Sequence, residues 1–131
     1  AVPFRAEAPV GGLELAEDEA LFRPTMQANV DYLLSSFDLD HMLYPFRVRA
    51  GMPKPPGGSR PQVEFWDTDL KGSNAGRFLM GAGNALRWLR NPLLRQTMDR
   101  LVDGVEECRI GDYILAFPPE GMLHSEQGDY A

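Results

Sequence analysis

Apolar residues recur along this chain at helical rather than strand spacing. Met26, Val30, Leu33, Leu34 and Phe37 fall on one face of a 3.6-residue period, which predicts a first helix over residues 22–36. Pro24 fits there only in the first turn, where its missing N–H is harmless. Phe78, Leu79, Ala82, Ala85, Leu86 and Leu89 form a second stripe, predicting a helix over 74–90. Gly81, Ala82, Gly83 and Ala85 leave that helix thin. A mid-helix glycine costs ~1 kcal/mol, so a closely packed neighbour is expected to offset it. A third helix starts on a strong signal, with Asn91 as N-cap and Pro92 as first helical residue. Leu94, Met98, Leu101, Val102, Val105 and Cys108 line its apolar side, and it should stop near Arg109 to Gly111. The Arg90-Asn91-Pro92 junction between two stripes predicts an antiparallel hairpin over 74–110 with almost no linker. Adjacent hairpins of this kind build α/α toroids and solenoids.

The remaining segments lack helical periodicity. Residues 1–21 read as an extended arm, with Val2, Phe4, Val10, Leu13 and Leu15 punctuated by Pro3, Pro9 and Gly11-Gly12. Residues 37–73 read as one long loop, in which six prolines and glycines crowd the stretch from Gly51 to Gly58. Loops of that length usually carry function or are disordered. Tyr44, Phe46, Val48 and Met52 are too apolar for a free linker, so part of the loop is expected to pack. Residues 111–131 read as an exit loop, with Pro118-Pro119 ending any element begun at Tyr113. No repeat of 20–50 residues is visible. The chain thus reads as one mainly α unit over residues 1–131.

Composition agrees with a globular domain. The 131 residues are 44% hydrophobic and 24% charged, with a net charge of −6. That size suits one domain. An acidic balance argues against nucleic acid or an anionic membrane as a partner. No stretch approaches the ~20 apolar residues of a membrane span, and nothing at the start reads as a signal peptide. Cys108 is the lone cysteine, and it continues the apolar stripe of the third helix as a small core residue. His41 and His124 stand far apart without a second ligand at useful spacing, so no metal site is expected in this segment. Ser35, Ser36, Ser73 and Ser125 lack an elbow motif or a local base, which argues against a nucleophilic triad.

Three blocks carry chemistry, each with two readings. Trp66-Asp67-Thr68-Asp69 is either a sugar platform or a core indole followed by a helix-capping carboxylate. As a platform, the indole face would meet ring C–H groups and the carboxylates would accept hydrogen bonds from hydroxyls. Gly72-Ser73-Asn74-Ala75-Gly76-Arg77 opens a helix. It is either a nest for an anion or ligand oxygen, or a cap with close packing. No strand precedes it and its spacing is wrong for a dinucleotide fingerprint. Asp112-Tyr113 and Phe117-Pro118 form either a turn anchored by Tyr113 or a cleft wall. Glu120, Glu126 and Asp129 read as a solvated polar tail; two carboxylates ~5–10 Å apart would suit a glycosidase, but spacing in sequence does not show that separation.

Taken in order, the blocks Tyr32-Leu33-Leu34, Phe46-Arg47, Ala50-Gly51, Trp66-Asp67, Gly72–Arg77, Asp112–Leu115 and Phe117-Pro118 cover most of residues 22–118. Their order and spacing resemble the start of the helical-toroid glycoside hydrolases typified by β-L-arabinofuranosidase, glycoside hydrolase family 127. Many members open a helix with Gly-His-x-x-Gly-His; here both glycines are kept, and Ser73 and Arg77 stand in place of the histidines. The resemblance implies part of an (α/α)6 toroid with a sugar cleft at one mouth. It implies a retaining hydrolase that releases a terminal sugar, arabinofuranose-like or a related glycone. Trp66, Asp67, Asp69, Arg77 and Tyr113 would then be the substrate-binding residues of this segment. In such enzymes a zinc-bound cysteine is the nucleophile and a glutamate the acid/base, and both lie downstream. Cys108 matches neither, so no catalytic residue and no zinc are expected in this segment. Three predicted helices do not close a twelve-helix barrel. Besides a carbohydrate, the expected partner is therefore the remainder of the same chain or another subunit. A non-catalytic helical interaction module, marked by a closed three-helix core without a cleft, is the alternative.

Overall fold

The computed structural model describes residues 15–18, 20–53 and 72–120. Helices dominate, in the order α1 (Phe22–Ser36), α2 (Leu39–Arg49), α3 (Ser73–Leu86) and α4 (Pro92–Glu107). Among the described residues there is no strand beyond an isolated bridge pairing Ile110 with Tyr113. None of these helices is long and apolar enough to cross a membrane. The expected arm over 1–21 falls mostly outside the described residues, and a helical turn begins at Pro119-Glu120 where the sequence suggested none.

α1, α3 and α4 carry the apolar faces that the periodicity marks. Val30 and Leu33 of α1 are buried, with Met26, Leu34 and Phe37 packed beside them. Phe78, Ala82 and Ala85 of α3 and Leu89 just beyond it are buried, as are Leu94, Leu101 and Cys108 on and after α4. Val102 departs from its stripe and is 49% exposed. The buried position beside Leu101 is Gly104, where an added Cβ would lie only 2.6 Å from Cδ1 of Leu43. α4 therefore meets α2 through its glycine. This close approach points Val102 away from the core.

The helix at Leu39–Arg49 is a correction to the long loop expected over 37–73. Pro45 sits inside it and removes one backbone hydrogen bond, which is why the segment does not read as helical. Two effects outweigh the loss. Asp38 caps the start by accepting a 2.7 Å hydrogen bond from the His41 N–H. Met42, Leu43 and Phe46 are then buried against the other helices, mainly α4, each worth about 1.5–3 kcal/mol of apolar transfer.

A second correction concerns the hairpin. α3 and α4 pack together and α3 also packs on α1, but the connection is longer than expected. α3 ends at Leu86, and Arg87–Asn91 link it to α4. The Leu89 N–H still bonds the Ala85 carbonyl at 2.9 Å, and its side chain is buried, so the link is part of the core. Asn91 caps α4 as its sequence suggests, its side chain accepting from the Leu94 N–H at 2.9 Å. The thin side of α3 does meet a neighbour: a Cβ on Gly81 would stand 3.3 Å from Cδ2 of Leu33 on α1.

Candidate functional site

Three segments converge on the C-terminal half of α2. The first is the start of α3. Gly72 is its N-cap, in the left-handed region at φ 84°, and no side chain caps the helix there. A Cβ on Gly72 would lie 2.9 Å from Cζ of Phe46 and 3.1 Å from Cβ of Ala116. The block from Gly72 to Arg77 is thus a close-packing element at its first residue. Arg77 projects from the first turns of α3 and is exposed.

The second segment is the exit from α4. Gly111, at φ 59°, turns the chain so that Ile110 and Tyr113 exchange backbone hydrogen bonds of 3.0 Å. The Tyr113 hydroxyl donates to the Phe117 carbonyl at 2.9 Å, which fixes the ring across the turn. Ala116 in the same stretch supports Gly72. Tyr113 is therefore the anchor of this turn. Its ring also faces α2: the Arg49 guanidinium carbon lies 5.3 Å from its centroid.

The third segment follows α2. Met52 brings its sulfur 3.6 Å from Sγ of the buried Cys108. Burial pushes the Cys108 thiol above its ordinary pKa of 9.0; Arg47 and Arg49 pull it down and Glu107 pushes it up, with burial the largest effect. A nucleophilic cysteine needs the opposite balance. Among the described residues, no three His, Cys, Asp or Glu side chains stand together to hold a metal ion.

The raised thiol has a consequence for stability. The folded state holds this proton more tightly than the unfolded chain, so stability from this group is complete below about pH 9 and declines as pH rises through the folded pKa. One proton bounds the slope at about 1.4 kcal/mol per pH unit. Urea denaturation from pH 8 to 10.5 should show a steeper loss for the native protein than for Cys108→Ala. Parallel curves would count against the shift.

The structure places Arg77 and Tyr113 on two elements that meet through the Gly72, Phe46 and Ala116 contact. Trp66, Asp67 and Asp69 lie outside the described residues. Two residues that the sequence reading did not single out for the site take part here: Arg49 lies over the Tyr113 ring, and Arg47 acts electrostatically on Cys108. Arg47 belongs to the Phe46-Arg47 block of the family resemblance, and the further signal was an Arg-x-Arg pair between apolar residues.

The sequence model of one family, described as β-L-arabinofuranosidase, GH127 catalytic domain, matches residues 16–130. The chain belongs to this family. No curated protein and no solved structure gives a significant match. Membership in the GH127 catalytic-domain family implies a glycoside hydrolase function, and the described helices form part of an (α/α)6 toroid. The GH127 match spans all five expected sugar-binding positions, from Trp66 to Tyr113.

Proposed function

We propose that this chain supplies sugar-recognition loops to a retaining glycoside hydrolase that releases a terminal arabinofuranose-like or related glycone. The GH127 match over residues 16–130 carries the reading. Trp66 offers a flat apolar face for the sugar ring, and Asp67 and Asp69 accept hydrogen bonds from its hydroxyls. Arg77 replaces a histidine common in relatives and favours a bulkier or acidic glycone. Tyr113 walls the cleft at the α4 exit. The nucleophile, the acid/base and any zinc belong to the remainder of the toroid, supplied by the same chain or another subunit. Exposed Ile110, Ile114, Leu115 and Phe117 around the exit segment support such a neighbour.

Trp66→Ala should lower kcat/KM on the natural glycoside by about 1–3 kcal/mol, taking aromatic–sugar stacking as comparable to base stacking. Asp67→Asn should cost about 1.5–3 kcal/mol through a lost charge-assisted hydrogen bond. In the same assay Cys108→Ser should keep its turnover. Circular dichroism checks that each variant is folded. Native kcat/KM in both folded Trp66 and Asp67 variants would make that pair structural.

A further inference from the structure

Arg49 closes α2, and its guanidinium lies over the Tyr113 ring with the carbon 5.3 Å from the ring centroid. That distance is within cation–π range. The three side-chain nitrogens of Arg49 are out of contact with solvent and meet no hydrogen-bond acceptor among the described residues. Nothing the size of a water molecule reaches them, so they bind no ligand themselves. Arginine keeps its charge at any ordinary pH. Among the described residues, the negative face of the tyrosine ring is therefore the group that compensates this cation. Such attraction is strongest where the cation has lost its water.

The same contact decides how the ring is turned. Backbone hydrogen bonds of 3.0 Å to Ile110 hold the main chain of Tyr113, and its hydroxyl donates to the Phe117 carbonyl at 2.9 Å. The ring is thus tied at both ends of its long axis. Rotation about that axis is soft in an aromatic side chain, and the two ties do little to stop it. A cation over one face does stop it. The face carries the negative part of the ring quadrupole and the edge the positive part, so an edge turned toward Arg49 would meet repulsion. Tyr113 is only half-buried, which leaves part of the ring open to a ligand.

We propose that Arg49 is a positioning residue: it touches no sugar, and it sets the angle at which Tyr113 presents its ring to the glycone. The inference rests on the glycoside hydrolase reading, with Tyr113 as a wall of the cleft. A turned ring loses contact with the bound sugar in ground state and transition state alike. Its cost therefore falls on KM, while kcat depends on groups elsewhere in the toroid.

The geometry is read first, in the native protein. The ring current should displace the Arg49 Hδ signals upfield, and Tyr113→Leu should return them to their ordinary position. Undisplaced signals in the native protein would overturn the contact without any variant being needed. The role is read next, by kinetics of the complete enzyme on its natural glycoside. Arg49→Met should raise KM about tenfold with kcat kept, and Arg49→Lys, which keeps a cation, should recover part of the loss. In a Tyr113→Leu background Arg49→Met should add nothing, because its effect passes through the ring. Replacing an unpaired buried charge by an apolar side chain of similar size is often neutral or stabilising, so Arg49→Met should melt no lower than the native protein. A lower melting temperature with kcat and KM both impaired would make Arg49 merely structural and overturn the proposal. An equal rise in KM with and without Tyr113 would overturn it too. Native KM in Arg49→Met, with turnover intact, sinks this inference and leaves the hydrolase standing. No glycoside turnover in the native enzyme sinks the hydrolase reading and takes this role of Arg49 with it.

Discussion

Phe78→Ala should destabilise the protein by about 3–5 kcal/mol. Phe78 is fully buried on α3, and its ring tilts against Phe37 with centroids 5.6 Å apart. Phe37 in turn meets Tyr32 edge-on at 6.1 Å. Removing the Phe78 ring leaves a cavity where α3 meets the chain between α1 and α2. The surrounding helices pack on one another and can collapse into it only in part. Domains of this size are stable by about 5–15 kcal/mol, so the loss is roughly a fifth of the total or more. Urea denaturation followed by circular dichroism measures it as a lower midpoint with little change in slope. A loss below about 1 kcal/mol would mean that Phe78 is not the centre of the core.

Gly72→Ala should cost about 2–5 kcal/mol, the sum of two separate terms. A left-handed backbone at φ 84° penalises any Cβ by about 1–2 kcal/mol. The new methyl would also press into Phe46 and Ala116 at 2.9 and 3.1 Å, and overpacking of that kind costs about 1–3 kcal/mol. Gly76 provides the contrast. It lies inside α3 with nothing within 4 Å of its would-be Cβ. Gly76→Ala should therefore be neutral or stabilising by up to about 1 kcal/mol. The difference between two glycines four residues apart is the informative quantity. Equal effects in thermal melts would show that the junction of α2, α3 and the exit segment is looser than its contacts imply. Because Arg77 and Tyr113 are carried by that junction, Gly72→Ala should also weaken glycoside binding.

Local signals in the chain were enough for three of the four helices. α1, α3 and α4 each have a one-sided apolar face, and Asn91-Pro92 announces the start of α4 through a cap and a proline that needs no N–H. Those terms act within a few residues, so they can be read without knowing the fold. The family resemblance was legible for a related reason: its blocks among the described residues sit at helix ends and in the turns beside them, where the residue types are constrained locally. α2 was not legible. Its proline argues against a helix, and the burial of Met42, Leu43 and Phe46 that overrides it comes from partners distant in sequence.

The same division runs through the candidate site. Gly72 and Tyr113 stand out in the sequence as a helix opening and a turn residue. That Gly72 packs under Phe46, and that Tyr113 carries Arg49, is decided only when α2 comes to lie between the start of α3 and the exit from α4. Gly104 repeats the lesson in the core. As a residue in a helix it looks like a weakness, yet the tertiary structure makes it the point of closest approach to Leu43. Sequence alone determined which faces are apolar and where the chain turns. Which face meets which, and hence which charges are taken out of water, follows from long-range packing, because burial depends on neighbours that local periodicity does not name.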